Sequence, residues 1–167
     1  PGSGLAQGFG TFHDVGPEER GQSADRVLAA RDRALAARRA DPERSARPLF
    51  LFVNFLDPHL PYDPPEDLER PWRPAGAREE DVAVARRLAF PEEMAHNLGV
   101  RPLAKPVLAA LPGLYDSEIL RLDRECARAE ALLAREGLAG KGTLLVVTSG
   151  HGGDLGEIVS GQAYWNM

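Results

Sequence analysis

The chain has 167 residues, the size of one ordinary domain and long enough to bury roughly 70% of its unfolded surface if compact. Its 25 acidic and 20 basic side chains give a net charge of −5 with no basic block, which argues against a nucleic-acid partner held through phosphate neutralisation. One cysteine, Cys126, excludes an internal disulfide and a thiolate metal cluster, and the longest apolar run, Leu49 to Leu56, falls far short of the ~20 residues of a membrane span.

Residues 1–22 are glycine-rich and lack an apolar period, so they read as loop, with Phe9 and Phe12 as anchors. From Ala24 to Ala40 the chain is built of Ala, Arg and Leu, all strong helix formers, and Val27, Leu28, Ala34 and Leu35 fall on one side. Pro42 and Pro48 bracket the loop that follows.

The run Leu49 to Phe55 is short, aromatic and almost continuously apolar, the pattern of a strand buried on both faces of a parallel sheet. It stops at Asp57-Pro58-His59. Five prolines between Leu60 and Gly76 remove backbone donors and restrict their predecessors, which predicts an irregular surface loop. A short helix is expected over Arg78 to Phe90, and Pro91 to Leu111 fits no single pattern. After Pro112 the residues Tyr115, Ile119, Leu122, Cys126, Ala129 and Leu133 recur at steps of four and three, one helical stripe, which Gly137 and Gly140 end. Thr143 to Thr148 is again a buried-strand pattern and runs into Ser149-Gly150-His151-Gly152-Gly153.

Strand, crossover, helix and strand make the grammar of an α/β fold with a mostly parallel sheet, in which ligands bind beyond the carboxyl ends of the strands. Both expected strands end in a histidine-bearing loop, so the histidines should lie on the same sheet edge. In Asp57-Pro58-His59-Leu60-Pro61-Tyr62 two prolines hold the chain, and a fixed imidazole can meet an oxyanion or a metal. On spacing alone, a plain surface loop with Asp57 capping a turn and His59 packing accounts for the segment as well or better. The glycine-rich turn around His151 can cradle an anion, though such turns are more often only turns. Other motifs fail: Ser149 has Val147 where a nucleophile elbow needs glycine, and Gly140-Lys141 precedes Gly142, not a helix as in a phosphate-binding loop.

The string from Pro48 to Pro65, with Asp57-Pro58-His59-Leu60-Pro61-Tyr62 at its centre, resembles the sulfatase segment that delivers an Asp-Pro-His-x-Pro-Tyr loop to the active site. Tyr115-Asp116-Ser117-Glu118-Ile119 through Asp123, and Thr143 to Glu157, are similar to that family's helix and its Thr-Ser-Asp-His-Gly-Glu segment. Gly8-Phe9 and Ser160 to Tyr164 have family-like counterparts, so the similarity runs in order along nearly the whole chain. The family is the sulfatases of the alkaline phosphatase superfamily. The resemblance implies a partial sulfatase-like fold, with a loop at 1–22, a core segment at 23–157 and a shortened end at 158–167. It also implies cleavage of sulfate or related phosphate esters by a nucleophile beside a calcium, magnesium or manganese ion.

Carried over by position, His59 would contact the sulfuryl oxygens and His151 would be a metal ligand. The departures are as informative. Gly150 stands where the family has a metal-binding aspartate, and Gly153 stands where it has glutamate. Ser160-Gly161-Gln162 omits a basic residue, and Cys126 fails the Cys/Ser-x-Pro-x-Arg pattern of the nucleophile. The family's paired aspartates have no counterpart, so the chain is expected to be an internal fragment, inactive by itself. A rival expectation is a non-catalytic module that binds an anion or a partner through the His59 loop. Absent leading strands would leave exposed sheet edges, through which the chain should self-associate.

Overall fold

The computed structural model describes residues 4, 6–14 and 23–150. Regular structure among them is helical: α1 (Ser23–Arg39), α2 (Pro42–Ala46), α3 (Glu66–Glu69) followed by a 3-10 turn (Arg70–Trp72), α4 (Glu79–Arg86), α5 (Phe90–Asn97) and α6 (Lys105–Arg135). The chain divides into two compact units, Pro1–Leu56 and Asp57–Met167.

In the first unit, α1 matches the expected helix within a residue at each end. Ala24, Leu28, Arg31 and Leu35 are buried at steps of four, three and four, while Val27 and Ala34 are half-buried beside them. Asp41 caps α2 by accepting the Arg44 N–H at 3.1 Å, and Pro42 occupies the first turn, where no N–H is needed. Arg38 donates from Nη2 to the carbonyls of Ser45 and Arg47, both at 2.8 Å, so a cation satisfies the end of α2 and holds it to α1. The ring of Phe9 lies 6.3 Å from Phe12 and 5.9 Å from Phe50, the anchoring contact expected of the leading loop.

The expected α/β architecture is not observed. Leu49 to Phe55 and Thr143 to Thr148 carry no strand, and no sheet occurs among the described residues. In the first run burial alternates, with Leu51, Val53 and Phe55 half-buried and Phe50 and Phe52 76% and 67% exposed, but no ladder bonds accompany it. In the second run Leu144, Leu145, Val146 and Val147 are all exposed. A continuous apolar run signals a tendency toward burial, whereas a strand also needs a second backbone to pair with. The sheet edges from which self-association was expected are not found among the described residues, nor is a sheet on whose edge the two histidine loops could lie.

The second unit has its core where α4 packs on α6 and where the 57–69 segment covers both. Leu60, Tyr62, Val82, Ala85, Leu88, Val107, Ala110, Leu111 and Leu114 form one buried cluster. The proline-rich stretch is therefore not a surface loop. Its prolines sit where they cost little: Pro65 precedes the first turn of α3 and Pro71 lies in the first turn of the 3-10 helix. Leu60, Tyr62, Pro64, Leu68 and Glu69 are buried between them.

Helix α6 continues through Pro112 back to Lys105, and Gly137, with φ 69°, terminates it as expected. Its buried face differs from the expected stripe. Val107, Ala110, Leu111, Leu114, Ser117, Glu118 and Arg121 point inward, while Ile119 is 44% exposed. The Ser117 hydroxyl returns to the Gly113 carbonyl at 2.5 Å, the local bond that lets a serine sit inside a helix. Gly113 itself is needed for closeness: a Cβ there would lie 2.3 Å from the Trp72 carbonyl oxygen. Among the described residues no helix is long and apolar enough to cross a membrane.

Candidate functional site

The segment from Asp57 to Asp63 is held to α6 at both ends. At its start the Asp57 carboxylate lies 3.6 Å from Arg121 Nη1, both side chains 9% exposed. At its end the Asp63 N–H donates to Glu118 Oε1 at 2.8 Å. Arg121 Nη1 is also 3.5 Å from Glu118 Oε2, so one guanidinium bridges the two carboxylates. Between these ties Leu60 and Tyr62 enter the core, and the Tyr62 ring meets Tyr115 edge-on at 5.9 Å. Residues 115, 118 and 121 lie three apart, so their side chains descend one side of the helix.

His59 stands on the exposed outer side of this anchored loop. Its Nδ1 is 2.9 Å from the Leu60 carbonyl oxygen. A carbonyl only accepts, so Nδ1 carries the hydrogen, and the neutral ring presents Nε2 as its free acceptor. Protonated, the same ring presents Nε2–H as a donor in a fixed direction. His96 has the opposite arrangement, since its Nδ1 accepts the Leu103 N–H at 3.1 Å.

The anchor belongs to a longer chain of charges. Asp63 accepts from Arg86 Nη1 at 3.1 Å, and the same nitrogen donates to the Pro64 carbonyl at 3.0 Å. Arg86 Nη2 reaches Glu69 at 3.5 Å, and Glu69 accepts from Arg73 Nε at 2.8 Å and Nη2 at 2.6 Å. Arg73 is also paired with Glu79. Two of the buried carboxyls, Glu69 and Glu118, are tuned in opposite directions. The forked hydrogen bonds from Arg73 hold the Glu69 carboxyl below its ordinary range, against the cost of burial. Burial pushes the Glu118 carboxyl up, opposed by the Asp63 N–H and the Arg121 charge.

Of the residues singled out in the sequence, His59 is placed on a loop whose ends are fixed. Gly150 is described and has open space where a Cβ would project. His151, like Gly153, Glu157 and Ser160 to Tyr164, lies outside the described residues. Among the described residues no three His, Cys, Asp or Glu side chains converge as a metal site. Glycine at position 150 offers no side-chain oxygen to a divalent cation, which needs several oxygen ligands. Cys126 is half-buried on α6, and burial together with the charges of Asp123, Glu130 and Glu125 pushes its thiol up, away from the reactive thiolate.

Sequence reasoning missed Glu118, Arg121, Asp63 and Arg86. A signal for two of them was present: 118 and 121 continue the 107, 110, 111, 114 spacing, and acid and base three apart on an otherwise apolar face can pair when buried. The chain matches no family model, no curated protein and no solved structure.

Proposed function

We propose that this chain is part of a sulfatase-like hydrolase, with the His59 loop as its contact to a sulfate or phosphate ester, and that these 167 residues are inactive on their own. The observation that carries the reading is the anchored loop: the same residues that resemble the family's Asp-Pro-His-x-Pro-Tyr segment hold an exposed imidazole between two ties to α6. In that role Nε2–H of the protonated ring donates to an ester oxygen and opposes the charge that develops there. The divalent cation of the family would polarise the ester oxygens when bound. By resemblance His151 would be one of its ligands, but Gly150 supplies no carboxylate beside it.

Hydrolysis also needs a nucleophile, and the sequence holds no Cys/Ser-x-Pro-x-Arg. Loss of one catalytic element often costs roughly a thousandfold or more, and here both the nucleophile and the metal carboxylates are lacking. The purified chain should therefore hydrolyse aryl sulfates and aryl phosphates no faster than background with calcium, magnesium or manganese supplied. Gly150→Asp alone should not restore turnover, although its side chain has room. Metal-dependent turnover by the unmodified chain that vanishes in His151→Ala would overturn this reading.

A further inference from the structure

We infer that Glu118 is a positioning residue for His59: it holds the closing end of the Asp57–Asp63 loop on α6 and, with Arg121 as the bridge to Asp57, fixes the imidazole through the backbone. The functional meaning of this anchor rests on the oxyanion reading of His59, but the anchor itself does not.

Three observations support it. Glu118 is 3% exposed on a helix face otherwise lined by Leu111, Leu114 and Ser117, a costly place for a carboxyl unless it is partnered. Its partner is not a neighbouring side chain on α6 alone but a backbone N–H 55 positions away in sequence, at 2.8 Å. That N–H belongs to Asp63, four residues after His59 and directly after the buried Tyr62, so the bond fixes the loop where it leaves the core. Arg121 then closes the frame by reaching Glu118 at 3.5 Å and Asp57 at 3.6 Å, which ties the entry and exit of the loop to adjacent turns of one helix. With both ends held, His59 has little freedom beyond its ring torsions. Its Nδ1 rests on the Leu60 carbonyl, and Leu60 is itself buried in the core. The geometry thus selects a tautomer as well as a position. The neutral side chain of a histidine free in water favours the Nε2–H form, whereas this loop holds the Nδ1–H form.

Two substitutions separate reach from charge. Glu118→Gln keeps an acceptor oxygen at the same distance and removes the charge; Glu118→Asp keeps the charge and shortens the reach by one methylene. In the full chain, Asp63 amide exchange should stay within about threefold of wild type in Glu118→Gln and accelerate roughly tenfold to a hundredfold in Glu118→Asp. Ring nitrogen shifts, recorded where the imidazoles are neutral, should report Nδ1–H for His59 in wild type and Glu118→Gln. In Glu118→Asp the His59 signal should move toward the Nε2–H form, while His96, already Nε2–H, serves as an unmoved control. A merely structural carboxyl would change the thermal midpoint without changing the His59 tautomer. Wild-type Asp63 exchange and an unchanged His59 tautomer in folded Glu118→Asp would overturn the inference. Addition of inorganic sulfate, at a pH where the His59 ring is protonated and Nε2–H can donate, separates the two claims: a wild-type His59 that ignores sulfate there, in a chain whose Asp63 amide is released by Glu118→Asp, supports the anchor and overturns the oxyanion reading.

Discussion

Glu69→Ala should lower the unfolding free energy by about 3 kcal/mol, the lower end expected when one member of a buried ion pair is removed. Glu69 is 2% exposed and receives a fork of two hydrogen bonds from Arg73 and a third contact from Arg86. Deleting it leaves two guanidiniums facing a hole. The loss stays near the lower end because both cations keep another acid, Arg73 with Glu79 and Arg86 with Asp63. Glu69→Gln should cost less, since it preserves volume and one acceptor. The pH dependence has a defined sign. The Glu69 carboxyl is lowered in the folded chain, so its stabilisation is present above the ordinary carboxylate range and is lost as pH falls through the lowered value. Denaturant melts should show the gap between wild type and Glu69→Gln closing under acid. Glu118, raised by burial, works the other way, contributing below the ordinary carboxylate range and losing that contribution as pH rises through its raised value. A gap that widens in acid would contradict the assignment of Glu69.

Leu114→Ala should cost about 3 kcal/mol, within the 2–5 kcal/mol seen for buried leucines, by loss of transfer energy and by the cavity left. Leu114 is 1% exposed, and the cluster around it joins α4, α6 and the segment that carries His59. The effect should therefore appear as a lower midpoint in urea with an unchanged slope, the mark of a stability change without a change in compactness. A loss below about 1 kcal/mol would mean that the site collapses around the smaller side chain.

The helices were legible in the sequence where local rules dominate. Ala24 to Ala40 shows strong propensity, and Gly137 supplies the left-handed residue that ends α6, so both read correctly. The inward face of α6 was misread because Tyr115, Ile119 and Leu122 make a cleaner apolar period than a face that carries Ser117, Glu118 and Arg121. Polar residues enter a core only when specific partners satisfy them, and a partner 55 residues away cannot be seen in local spacing. The same limit explains the strands. Leu49 to Phe55 and Thr143 to Thr148 have the composition of buried strands, yet pairing is a property of two segments, and neither run is a strand in the structure. The prolines between Leu60 and Gly76 do not prevent short helices, since a proline at the start of a helix is compatible with it. The candidate site was legible as a motif around His59. What holds that motif in place was not.

The central claim is that His59 is presented to an oxyanion, and a titration with inorganic sulfate tests it most directly. At a pH where the ring is protonated, the full chain should show a saturable shift of the His59 ring resonances as sulfate is added at constant ionic strength. His13, exposed in the first unit, and His96, whose Nδ1 is occupied by the Leu103 N–H, should move only slightly and linearly. A His59 resonance that shifts no more than those of His13 and His96 would contradict the account.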